Sequence, residues 1–142
     1  QAGFGIHQLR KIDSFNKQRE ILSSILFEYI EKSPYFYYPN VHSKAIPCWF
    51  ALPLIVTEKA GFTRDEFCDF LEKSGVETRP IVTGNFAKQP AARTLGLKDS
   101  DFPNANIIHS KGFYIGLSPM LEESHIYRLI DLFDTFLKKK HG

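Results

Sequence analysis

Cysteine is nearly absent from this 142-residue chain, which has two, Cys48 and Cys68. Two thiols make no disulfide framework, and neither has a neighbour at metal-ligand spacing. Free thiols in a reducing cytoplasm are the expectation. The five histidines, His7, His42, His109, His125 and His141, include no pair at ligand spacing, so no metal site is expected. Charge of one sign is also missing: 18 Lys and Arg against 16 Asp and Glu leave a net +2. Nothing in that balance asks for a nucleic acid. The one compact basic run, Lys138-Lys139-Lys140-His141, reads as a cationic helix end facing the helix dipole. No apolar stretch approaches the roughly 18 residues a membrane span needs, and no signal-peptide pattern is visible. Phosphate-binding glycine loops and the Gly-x-Ser-x-Gly elbow are missing too. There is no initiator Met; the chain starts in what reads as mid-element, so it is expected to be a piece of a longer polypeptide.

What the chain has is phenylalanine. Thirteen Phe lift the aromatic share to 14%. That implies a Phe-rich core, or a surface that something else covers. The length fits one domain, residues 1–142, large enough to bury about two-thirds of its unfolded surface.

Apolar spacing predicts a long first helix from Phe4 to Glu31, carried by Ile6, Leu9, Ile12, Phe15, Leu22, Ile25, Leu26 and Tyr29. Ser33-Pro34 stops it. A short extended piece and a loop follow from Tyr35 to Ile46. Trp49 to Thr57 is the clearest strand, with Phe50, Leu52, Leu54 and Val56 on one face; Pro53 argues for an edge position or a break. Thr63-x-x-Glu66 is a capping box that opens a second helix, and Gly75 closes it. Strands are expected at Val76–Arg79 and Gly112–Leu117, short helical pieces between Ala87 and Leu95 and between Asn104 and Ser110. Ser118-Pro119 opens the last helix, whose stripe is Ile126, Leu129, Ile130, Phe133 and Phe136. The order predicts an α+β fold, helices packed on a small, mainly antiparallel sheet with one face uncovered.

The stretch Gly75 to Phe86 carries the most chemistry. After the strand it offers a guanidinium (Arg79), a hydroxyl (Thr83), a carboxamide (Asn85) and a flexible Gly84. Those groups suit an oxygen-rich ligand such as a sugar or a phosphate, and an ordinary connection is the alternative. His109 is the most plausible functional histidine. Cys48 and Cys68 read as small buried hydrophobes, and His7 as a packing residue.

The segment Gln1-Ala2-Gly3-Phe4-Gly5-Ile6-His7-Gln8-Leu9-Arg10-Lys11-Ile12-Asp13 resembles the "QAAxGxxQLxKLD" helix of the DegT/DnrJ/EryC1/StrS sugar aminotransferases. Arg19, the Trp49 strand, the Thr63–Glu66 helix start, Gly75-Val76-Glu77-Thr78-Arg79-Pro80, Asn104-Ala105 and Gly116-Leu117-Ser118-Pro119 continue the match. The resemblance implies the C-terminal small domain of a type I pyridoxal-phosphate fold. The large domain, with the cofactor-binding Asp and the catalytic Lys, would precede Gln1, so the chain alone is expected to be inactive and to hold no cofactor.

Where ordinary members of that family carry a "Tyr-x-x-Pro-Leu-His-x-Gln" loop, this chain has Arg79 to Phe86 and lacks the Leu-His pair. In that it looks like the nucleotide-sugar 3-dehydratase branch, which makes deoxysugars for lipopolysaccharide. Two cysteines are too few for the iron–sulfur sub-branch, so the glutamate-dependent one is implied. The resemblance further implies pyridoxal or pyridoxamine phosphate in the full-length enzyme, a nucleotide-linked 4-keto-6-deoxyhexose substrate, glutamate as co-substrate and a homodimer. Substrate contacts would fall to Arg79, Thr83, Asn85 and His109. An aminotransferase of the same family, and a non-catalytic binding or dimerisation module, stay open.

Overall fold

The computed structural model describes residues 2–142. In chain order, α1 (Ala2–Leu9) and α2 (Ile12–Glu31) lead to β1 (Phe36–Tyr37) and β2 (Ala51–Val56). Then come α3 (Arg64–Lys73), β3 (Thr78–Pro80), α4 (Pro103–Lys111), β4 (Gly112–Gly116) and α5 (Glu123–His141). The strands form one sheet in the order β1-β2-β4-β3, and every pairing is antiparallel. The α+β expectation holds.

The single long first helix does not. It breaks at Arg10 and Lys11, where Lys11 N–H turns back to the Gln8 carbonyl at 3.0 Å. The apolar spacing is real, but among the described residues the apolar side of α1 stays exposed, with Phe4 71% and Leu9 68% exposed. His7 is exposed as well, not packed. From Leu22 onward the same periodicity meets the sheet, and Leu22, Leu26 and Ile30 are buried.

β2 is an interior strand, not an edge. Pro53 is tolerated because of its parity. The Phe50 carbonyl accepts from Leu117 N–H on the β4 side, so residues 50, 52 and 54 bond toward β4. Thr57 N–H bonds to Tyr35 on the other side. Pro53 therefore points its missing donor past the end of the two-residue β1. Phe50 lies before the strand begins and leaves the expected face; its ring is exposed and meets Tyr114 edge to face at 6.3 Å.

Helices α2, α3 and α5 cover one face of the sheet. Leu52, Leu54, Val56, Phe113 and Ile115 point into it, and Phe67 lies 4.7 Å from Phe133 and 4.8 Å from Phe36, centroid to centroid. This is the Phe-rich core that the composition implied. The opposite face is not wholly bare, since Ala51 and Ile55 are also buried and α4 lies against β2 and β4.

Local signals set the ends of α3. Thr63 and Glu66 complete the capping box. Gly75, at φ +86°, closes the helix: its N–H bonds to Glu72 and that of Val76 to Leu71, at 3.0 and 2.9 Å. That is a Schellman motif, and it aims the chain into β3. The last helix begins later than Ser118-Pro119 suggests, at Glu123, with the Glu122 N–H donating to His125 Nδ1 at 3.1 Å. Among the described residues, no helix is long and apolar enough to cross a membrane.

Candidate functional site

Leaving β3 at its Pro80 end, the chain turns sharply. Gly84 N–H bonds to the Ile81 carbonyl at 2.6 Å. Val82 takes φ +33° and Gly84 φ +59°; the first is unusual for a β-branched residue. Asn85 then ends the turn. It is 2% exposed, its Oδ1 accepts from Ala87 N–H at 2.9 Å, and its Nδ2 donates to Asn106 Oδ1 on α4 at 3.0 Å. Asn106 continues the chain of bonds to the Asp99 carbonyl at 2.7 Å.

His109, one helical turn along α4 from Asn106, meets the same loop. Its Nδ1 accepts from Asn85 N–H at 3.4 Å. An imidazole that accepts at Nδ1 keeps its proton on Nε2. Gly84 presses on the ring so closely that a Cβ there would lie 2.6 Å from His109 Nδ1 and 2.9 Å from its Cα. Glycine is therefore needed twice, for its φ and for the approach.

Of the four candidate residues, the fold brings Asn85 and His109 together. Thr83 stands exposed at the loop's outer turn. Arg79 is separate from them. It is exposed on β3, ion-paired with Glu77, and opens onto a cleft of about 440 Å³. That cleft runs between the β3–β4 end of the sheet and the first turns of α5. Leu52, Ile115 and Leu129 floor it, and Tyr114, His125 and Arg128 stand at its rim. Asn106, Arg128 and Tyr114 carried no signal in the sequence; an asparagine inside a helix and a tyrosine inside a strand read as ordinary.

The thiols divide. Cys68 is half-buried, and burial pushes its thiol up, with a hydrogen bond from Thr78 working the other way. Cys48 is exposed rather than buried, because the chain from Pro39 to Cys48 runs over the surface and β2 starts only at Ala51. Its Sγ donates to Asn16 Oδ1 at 2.9 Å.

A pyridoxal phosphate needs an amine or base at its aldehyde carbon, an acid at its ring nitrogen and donors for its phosphate. No lysine lines the cleft. Lys111 is paired with Glu58 and Lys140 with Glu66. The cleft beside Arg79 thus supplies no amine for that aldehyde carbon.

Helices on one face of a small antiparallel sheet, with a polar loop at one sheet end, make up the C-terminal small domain of type I pyridoxal-phosphate enzymes, and solved sugar-processing enzymes of that class superpose on it. The GDP-4-keto-6-deoxy-D-mannose-3-dehydratase of E. coli, solved with bound hydrated PLP, matches with a TM-score of 0.77 and 26% identity over 90% of this chain and 33% of its own. The model of the DegT/DnrJ/EryC1/StrS aminotransferase family matches residues 1–134, and the chain belongs to that family. The lipopolysaccharide biosynthesis protein RfbH of Salmonella typhimurium is 28% identical over 138 residues, 96% of this chain and 32% of that protein. GDP-4-keto-6-deoxy-D-mannose 3-dehydratase of Yersinia pseudotuberculosis is 33% identical over 121 residues, 81% of this chain and 29% of that one. The chain thus spans about a third of the relatives it matches.

Proposed function

We propose that this chain is the C-terminal part of a pyridoxal- or pyridoxamine-phosphate enzyme that removes the C3 hydroxyl of a nucleotide-linked 4-keto-6-deoxyhexose. The observation that carries this reading is the 33% identity with a GDP-4-keto-6-deoxy-D-mannose 3-dehydratase; the missing Leu-His pair in the Arg79–Phe86 loop agrees with it. Residues 1–142 form one domain in this reading, and a separate large domain brings the cofactor.

The chemistry sets the co-substrate. Replacing a hydroxyl by hydrogen consumes two electrons and two protons and releases water. Oxidation of glutamate to 2-oxoglutarate and ammonia consumes one water and supplies both. The balance is therefore keto-sugar plus glutamate giving 3-deoxy keto-sugar, 2-oxoglutarate and ammonia.

This chain's own part is binding. Arg79 offers a permanently charged fork for a phosphate or for the glutamate carboxylate. Thr83 offers a hydroxyl to the sugar, and His109 the Nε2 proton. Asn85 closes the wall behind them. The exposed apolar residues of α1 fit a surface covered by the rest of the protein or by a second copy, as in a homodimer. Free thiols and a nucleotide-sugar substrate fit the cytoplasm.

The test uses the protein encoded by the whole reading frame, supplied with pyridoxal phosphate, glutamate and GDP-4-keto-6-deoxymannose. Release of free ammonia together with 2-oxoglutarate, and a sugar product lacking one oxygen, is the expected result. Nitrogen retained on the sugar means transamination instead. No consumption of any nucleotide-linked keto-sugar overturns the assignment.

A further inference from the structure

Arg64 follows directly on the Thr63 N-cap, where the helix asks only for a residue that tolerates its first turn. Its side chain is nevertheless only 21% exposed. Nε and Nη2 each lie 2.7 Å from the Asp65 carboxylate. Nη1 crosses to a different part of the fold and donates to the carbonyl of His109 at 2.8 Å and to that of Gly112 at 3.4 Å. The first lies in the last turn of α4, where no further helical turn can satisfy it and where the dipole favours a cation; the second belongs to Gly112, which caps α4 and opens β4.

His109 is also the surface on which the Ile81–Phe86 loop closes. The loop meets it through the Gly84 backbone, packed so that no Cβ fits, and through the Asn85 N–H. Between Ile81 and Gly84 stands Val82, 84% exposed and held at φ +33°. A β-branched residue keeps such a backbone only where its surroundings over-determine it. The contacts of Gly84 and Asn85 with α4 do so, and Arg64 fixes the end of α4 that carries them.

We infer that Arg64 is a positioning residue. Acting through the C-terminal carbonyls of α4 and the His109 ring, it holds the Ile81–Phe86 loop in the one conformation that presents Thr83 to the nucleotide-sugar. It does not itself touch the ligand. This rests on the functional reading of that loop given above. Lysine cannot replace it, because a single ammonium cannot reach the Asp65 carboxylate and two carbonyls in the fixed directions of a guanidinium.

The test is made in the full-length enzyme with Arg64→Lys. Backbone amide exchange at Asn85 and Ala87 should rise roughly tenfold while the amides of Phe67 and Phe133 keep their protection. KM for the nucleotide-sugar should rise roughly tenfold with kcat little changed, as for lost binding that ground state and transition state share. Unchanged exchange at Asn85 and Ala87 overturns the inference, and so does a rise shared with the core amides. Faster loop exchange with an unmoved KM overturns it too, since the loop would then present nothing to the ligand. Should Arg64→Lys fail to fold, Arg64→Met keeps the apolar stem, removes every donor to the His109 and Gly112 carbonyls, and must give the same two changes. If the wild-type enzyme turns over no nucleotide-sugar, the functional reading fails, while the exchange measurement still judges the positioning.

Discussion

On one face of the sheet, Phe67, Phe113 and Phe133 have no exposed surface, and their rings interlock with Phe36 and Phe136. Beyond the sheet's other end, from Ile81 to Lys111, Asn85 and Ala92 are the buried residues among those described. The first region is held by contacts that are individually weak, unoriented and many. The second is held by a few oriented polar contacts: Asn85 with Asn106, Asn85 N–H with His109, and Arg64 with the His109 carbonyl. A region of the first kind resists displacement as a unit. One of the second kind has a shape that single residues set, and this suits the substrate contact proposed for the loop.

Changes on the two sides should separate that way. Phe67→Ala should cost most, about 3–5 kcal/mol of global stability, read as a large fall in the urea midpoint. A loss under about 1 kcal/mol would mean that the aromatic cluster is not what holds the sheet to its helices. Asn85→Ala should cost less, about 1–3 kcal/mol for the polar groups it leaves unpaired. The damage should stay local, with exchange rising at Ala87 and the exposed loop becoming sensitive to protease. If Asn85→Ala lowers the urea midpoint as much as Phe67→Ala, the division between the two regions is wrong.

The smallest effect belongs to a polar contact that fastens the core side itself. Glu66 accepts from Lys140 on α5 and from the Thr63 N–H, and the two draw its carboxyl down to about 2. A carboxylate with a lowered pKa stabilises the fold above its ordinary value and ceases to do so as pH falls through the folded one. Tm should therefore drop between about pH 4.5 and about pH 2. The drop should be shallower in Lys140→Met, which removes the first cause. An identical acid profile in that variant would show that the junction of α3 and α5 does not depend on the pair.

Much of the first region was legible in the sequence. The Ile126–Leu129–Phe133–Phe136 stripe, the Thr63–Glu66 cap and the Gly75 stop depend on residues three or four apart, so spacing alone reveals them. The errors came where a local rule needed a distant surface. The apolar spacing of Phe4, Ile6 and Leu9 suggested a continuation of α2, but in the fold these three side chains stay exposed. Pro53 suggested an edge, because the ladder parity that excuses it depends on Phe50 pairing with Leu117, residues far apart in sequence. Arg79, Thr83, Asn85 and His109 were visible as polar residue types, yet which of them meet was not.

By itself, then, the sequence determined the helices with their own caps, the strands with their own alternation, the family, and the apolar side of the sheet, since each follows from neighbours on the chain. The tertiary structure alone decided that Gly84 must be glycine against His109, that Asn85 is enclosed rather than offered, and that Arg64 reaches α4. Those contacts join residues from 21 to 45 positions apart. A hydrogen bond across such a distance has a partner only after the core has already brought α3, the loop and α4 together.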